Sequence, residues 1–134
     1  MIGIDTNVLL RLLVRDSEDQ IRAAERFIST HCSNEDPGYV SRVVIAETAW
    51  VLKDIYAYDR LQIAGAIRGI IHVSEFEIES ADEVDCALSD FENSTAGFTD
   101  CLLGRTNVTA GCEYTVTFDR KAAKLAAFKL LGVE

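Results

Sequence analysis

Short apolar segments alternating with longer amphipathic ones constrain this chain more than any other feature. Met1–Ile4 is an apolar run that stops at Asp5 and reads as a buried strand. Asp5-Thr6-Asn7 are capping types, and Val8–Val14 follows as a short helix. A second helix starts at Ser17, with Ile21, Ala24, Phe27 and Ile28 at helical spacing. Ser33–Gly38, which holds the only proline, is a loop, and Tyr39–Ser41 is a strand of minimal length. From Arg42 to about Tyr56 the pattern is helical, with Ile45, Ala49, Leu52 and Ile55 on one stripe. Tyr58-Asp59 begins a further helix that runs to Ile70 or Ile71. Val73–Ile78 reads as a strand, Ala81–Phe91 as a helix, Asn93–Gly97 as a loop and Phe98–Thr109 as a helix. Tyr114–Phe118 is β-branched and aromatic, hence a strand. Asp119-Arg120-Lys121 opens a short helix, and Phe128–Val133 supplies a last edge strand. Strands that alternate with helices predict a parallel sheet with helices on both faces.

The 134 residues fit one domain spanning 1–134, with no repeat, low-complexity tract or linker. No stretch approaches the roughly 18 uninterrupted apolar residues of a membrane span. The apolar N-terminus holds Asp5 and Asn7 with no basic residue ahead of them, unlike a signal peptide, so the chain is expected to be cytoplasmic with no membrane partner. Cys32, Cys86, Cys101 and Cys112 form no C-x-x-C pair, and neither His31 nor His72 has a second histidine at finger spacing. Reduced thiols, some packed as small apolar groups, are expected, with no zinc site and no disulfide framework. His31 and His72 each close a helical segment, where a cation suits the carbonyl end.

Parallel α/β sheets bind ligands at the carboxyl ends of their strands. Asp5 ends the first strand, Asp119 follows the Tyr114–Phe118 strand, Asp100 sits in the first turn of a helix, and Glu47 lies in the helix after Tyr39–Ser41. Asp5 and Asp119 also read as helix N-caps, and Asp100 as a first-turn acid complementing the helix dipole. Glu47 lies too far into its helix for capping, and its neighbours Val43, Val44, Ile45, Ala46, Ala49, Trp50, Val51 and Leu52 are apolar. Such a carboxylate is expected to be desolvated unless an arginine, Arg11 or Arg42, pairs with it. Together the four acids suggest a pocket of mutually repelling carboxylates that a divalent cation would neutralise. Oxygen-only ligands favour Mg²⁺ or Mn²⁺ over Zn²⁺, and phosphoryl transfer is the chemistry that uses such a site. Asn7 and Thr117 add short neutral hydrogen-bonding groups beside Asp5 and Asp119, for orienting carboxylates or water or simply for forming turns.

Ile4-Asp5-Thr6-Asn7-Val8-Leu9-Leu10-Arg11, Val44-Ile45-Ala46-Glu47, Phe98-Thr99-Asp100 and Thr115-Val116-Thr117-Phe118-Asp119-Arg120, in this order and spacing, closely resemble a PIN-domain ribonuclease of the VapC toxin type. The resemblance extends from Met1 to about Leu130. It implies a three-layer α/β/α sandwich around a short central parallel sheet. It implies that Asp5, Glu47 and Asp100 form the principal Mg²⁺ or Mn²⁺ site, with Asp119 as the fourth acid and Thr6, Asn7 and Thr117 as supporting polar residues. The implied reaction is metal-dependent endonucleolytic hydrolysis of RNA, commonly tRNA or an rRNA loop, by the toxin of a type II toxin–antitoxin system that inhibits translation. A homodimer and a cognate antitoxin are the implied partners. The alternative is a catalytically silent PIN fold kept as a binding scaffold. Haloacid-dehalogenase-like phosphatases also begin on a strand-ending aspartate, but they need a second one where this chain has Asn7.

The formal charge is −9, from 13 Lys+Arg against 22 Asp+Glu, which excludes a nuclease that grips RNA by bulk charge. Arg11, Arg15, Arg42, Arg105, Arg120, Lys121 and Lys124 lie near the motif segments and are candidates for the RNA backbone. The helices Arg42–Tyr56 and Leu61–Ile71 carry more apolar surface than one small sheet requires, so part of it is expected to meet a second copy or an antitoxin.

Overall fold

Each strand of this chain is two or three residues long, so helices supply most of the ordered backbone. The computed structural model describes residues 1–132. In chain order the elements are β1 (Ile2–Gly3), α1 (Thr6–Leu13), α2 (Glu18–His31), β2 (Gly38–Val40), α3 (Arg42–Asp54), α4 (Arg60–Ile71), β3 (Phe76–Ile78), α5 (Ala81–Glu92), α6 (Phe98–Thr109), β4 (Thr115–Thr117), a 3₁₀ turn (Ala122–Lys124) and β5 (Phe128–Leu130). This is a mixed α/β architecture, with helices packed around short parallel strands.

Local chemistry explains the boundaries. Ser41, placed in a strand by the sequence, leaves β2 and caps α3, its hydroxyl accepting from the Val44 amide at 3.3 Å. Asp59 caps α4 in a reciprocal box with Gln62. α3 ends at Asp54, short of the expected end at Tyr56, and Ala57, at φ 56°, redirects the chain beyond it. Ile55 is consequently exposed instead of completing the stripe of Ile45, Ala49 and Leu52, which are buried. Phe27 likewise leaves the α2 stripe and stacks on His31 at 4.6 Å between ring centroids. Val73–Glu75 is a turn, closed by the Phe76 amide on the Val73 carbonyl at 3.1 Å, so β3 is half its expected length. His31 ends α2 and His72 caps the C-terminus of α4, as their positions in the sequence suggest. Val133, the expected end of the last strand, lies outside the described residues.

β1, β2 and β3 form a parallel sheet in that order, with Ile2 opposite Gly38 and Val40 opposite Ile78. β4 and β5 form a separate parallel pair, Thr115 opposite Phe128. The single sheet expected from the alternation is thus two ladders among the described residues. Strands this short offer too few hydrogen bonds for their pattern to specify every neighbour. The core joins the layers through Leu9, Leu10, Val40, Ile45, Leu52, Ile67, Val84 and Leu88, all fully buried. Gly104 fastens the β4–β5 pair to α6: a Cβ there would lie 2.7 Å from Phe128 Cε2. No helix of the described residues is long and apolar enough to cross a membrane.

Candidate active site

Two of the expected acids, Asp5 and Asp119, follow strands, whereas Glu47 lies within α3 and Asp100 opens α6, which follows a helix. Asp5 follows β1 and is the N-cap residue of α1, yet its side chain makes no capping hydrogen bond and is exposed. A carboxylate at a helix N-terminus that is not spent on capping remains available for another cation. Thr6, one residue on, is buried, and its hydroxyl has no hydrogen-bond partner. Asp5 and Asn7 edge a cavity of about 490 Å³ walled by Ile2, Val8, Arg11, Ala23 and Phe27.

Glu47 differs from its expected setting. Its apolar neighbours divide between two faces of α3: Ile45, Ala49 and Leu52 turn into the core, whereas Val43 (76% exposed) and Trp50 (56%) lie outside. Glu47 shares the outer face and is exposed, so it is not a desolvated carboxylate. Neither arginine pairs with it. Arg11 contacts Asp16 at 2.5 Å and the Tyr56 hydroxyl, and Arg42 holds Glu79 and Glu83.

The charge of Asp119 bears on Asp100. Asp100, half-buried in the first turn of α6, has its carboxyl pushed above the ordinary carboxylate range, first by burial and then by the negative charge of Asp119. Asp119 Oδ1 accepts from the amides of Lys121 at 2.8 Å and Ala122 at 2.9 Å, capping the 3₁₀ turn. The Asp119 amide in turn donates to Thr117 Oγ1 at 3.0 Å. Asp119 therefore has a capping role whatever else it does.

Among the described residues no Lys, Arg or His lies within ion-pair distance of Asp5, Glu47, Asp100 or Asp119. Hard oxygen donors with uncompensated charge, one already raised by a neighbouring acid, fit Mg²⁺ or Mn²⁺ in chemistry. Their side chains are not gathered: among the described residues no three His, Cys, Asp or Glu lie close enough to hold one ion. α1, which begins just after Asp5, packs against α3, the helix of Glu47, and α3 packs against α6, the helix of Asp100.

The basic candidates separate cleanly. Arg11, Arg15, Arg42 and Arg105 are engaged with Asp16, Glu25, Glu79 and Glu83, and Asp90, respectively. Arg120, Lys121 and Lys124 are exposed, directly after Asp119, and in no ion pair among the described residues. The sequence did not single out Trp50, Lys53, Tyr58 or Arg60, which line a second cavity, of about 400 Å³, with Asp100. Trp50 stands one helical turn beyond Glu47, and that spacing is the signal that could have found it.

Comparison with known proteins bears on what such acids do. The PIN domain family model matches residues 2–128. A protein named VapC ribonuclease from Aquifex aeolicus (strain VF5) is 25% identical over 122 residues, covering 91% of this chain and 90% of that protein.

Proposed function

The chain belongs to the PIN-domain family, and from that membership we propose that it is a VapC-like, divalent-metal-dependent endoribonuclease and the toxin of a type II toxin–antitoxin pair. The observation that carries this reading is Asp100: a half-buried carboxylate within the field of the Asp119 charge, with no Lys, Arg or His within ion-pair distance among the described residues. A fold retains such a repelling pair at some expense in stability, and a metal site accounts for it.

Asp5, Glu47 and Asp100 would hold Mg²⁺ or Mn²⁺, with Asp119 as the fourth acid. When bound, the ion supplies a Lewis acid for phosphoryl oxygens and a means of lowering the pKa of water. The chain's own residues do the positioning. Asp119 is fixed by its bonds to the Lys121 and Ala122 amides, and Thr117 fixes the Asp119 backbone. Thr6 keeps an unpartnered hydroxyl beside Asp5, and Asn7 presents an exposed amide there. Arg120, Lys121 and Lys124 face the phosphodiester backbone as the nearest uncommitted cations in sequence to an acid.

RNA is the substrate in this reading, with tRNA or an rRNA loop as the target and arrest of translation as the outcome. The cavity beside Asp5, apolar along Ile2, Val8 and Phe27, suits an antitoxin segment that also brings basic side chains to the acids. Leu61, 78% exposed on α4, and Ile55 after α3 are apolar surface for a second copy in a homodimer. The test is incubation of the purified chain with total RNA and Mg²⁺ or Mn²⁺, with chelator in parallel. Discrete products only with metal support the reading. Tight binding to an antitoxin without any cleavage would support a catalytically silent scaffold instead.

A further inference from the structure

We propose that the cavity beside Asp100 seats one unstacked base of the RNA strand, with Trp50 as its stacking platform and Lys53 as the cation for the adjoining phosphate. This rests on the nuclease reading above and names where that site holds its substrate.

Trp50 is the only tryptophan of the chain and is 56% exposed at a cavity rim, an unusual place for the largest apolar side chain. It lies three residues after Glu47 on the same face of α3, about 4.5 Å further along the helix. Asp100 lines the same cavity. One proposed catalytic acid, Asp100 of α6, thus shares the cavity with Trp50, and another, Glu47, stands one turn before it on α3. A volume of about 400 Å³ is within the range of sites that bury small ligands.

Part of the lining is preset. Arg60 lies over the Phe91 ring at 3.8 Å, and its Nη2 donates to the carbonyls of Phe91 at 2.6 Å, Ser94 at 3.0 Å and Ala96 at 2.8 Å. Phe91 meets Phe98 edge-to-face at 5.8 Å. A wall already ordered spares the entropy of forming it around a ligand. Lys53 is exposed and in no ion pair among the described residues. Base stacking depends little on the protein's overall charge, so it gives a chain of charge −9 a way to hold RNA that bulk electrostatics denies it.

The lone tryptophan makes the test direct. The Asp5→Asn variant, which blocks cleavage in this reading, is titrated with a short single-stranded RNA of mixed sequence in Mg²⁺, following tryptophan emission. Saturable quenching is expected. By anisotropy of the same RNA carrying a dye, adding Trp50→Leu weakens binding by at least about fivefold, and Trp50→Phe restores most of it. Binding with unmoved emission, or a Trp50→Leu affinity equal to the parent's, overturns the base seat and leaves the nuclease reading intact. Emission that follows protein concentration instead of RNA, with a matching change in sedimentation, assigns Trp50 to a contact between copies and overturns it too. A wild type that neither binds nor cuts any RNA removes the nuclease reading, and the base seat with it.

Discussion

Replacing Arg60 with alanine tests how the fold sets the position of Asp100. Three carbonyls share the donors of one Nη2, which carries only two hydrogens, so the contacts amount to about two full bonds. The Phe91 and Ala96 contacts are partly buried and the Ser94 contact is exposed, so water replaces only the last without loss. Two such bonds at about 1 kcal/mol net each, plus about 0.5–1 kcal/mol for the guanidinium over Phe91, give a destabilisation of about 3 kcal/mol. For a chain of this length that lowers Tm by roughly 10 °C. Circular dichroism melts of metal-free protein measure it, and Arg60→Lys, which keeps the charge but not the fork, is expected to lose about half as much. The stapled loop leads through Gly97 into Asp100, so Arg60→Ala also weakens Mn²⁺ binding, on the order of tenfold. A Tm within about 2 °C of wild type would refute the staple.

Other substitutions have definite signs. Because the folded-state pKa of Asp100 lies above its unfolded value, its ionisation opposes folding. The penalty is absent below the unfolded value and complete above the folded one. Asp100→Asn is therefore expected to raise the Tm of metal-free protein at pH 7, with the gain shrinking as pH falls through the carboxylate range; melts across pH read it. Mg²⁺ or Mn²⁺ should raise the Tm of wild type but not that of Asp100→Asn, by ligand linkage. Gly104→Ala drives a methyl to within 2.7 Å of Phe128 and should destabilise by about 1–3 kcal/mol in a urea titration. Asp59→Ala removes the α4 capping box, worth about 1 kcal/mol in the same titration.

The fold class was legible because helical stripes are long enough to declare themselves. Leu52 and Ile45, Ile21 and Ala24 recur at helical spacing and are buried together. Strand pairing was not, because three residues do not encode which neighbour they bond. That is why the expected single sheet is a β1–β2–β3 sheet and a β4–β5 pair. For the site, Asp5 and Asp119 stood out by their places after strands, Asp100 by the first turn of its helix and Glu47 by its apolar neighbours. Their surroundings did not. An apolar neighbourhood in sequence placed Glu47 in a desolvated setting, but α3 divides Val43 and Trp50 from Ile45, Ala49 and Leu52 by face. The partners of Arg11, Arg42 and Arg105 were equally hidden, because Tyr56, Glu83 and Asp90 reach them from other elements or from distant turns. Arg60 carries no motif at all, since its acceptors are backbone carbonyls and any residue supplies those.

We propose that Asp5, Glu47, Asp100 and Asp119 act as one metal-dependent RNA-cutting site. Cleavage of a defined RNA, measured side by side for wild type, Asp5→Asn, Glu47→Gln and Asp100→Asn in Mn²⁺, tests it most directly. Wild type is expected to cut in a way that chelator abolishes, and each variant to lose on the order of 10²-fold or more. Cleavage that survives in Asp5→Asn and Glu47→Gln, or that proceeds in chelator, would contradict it.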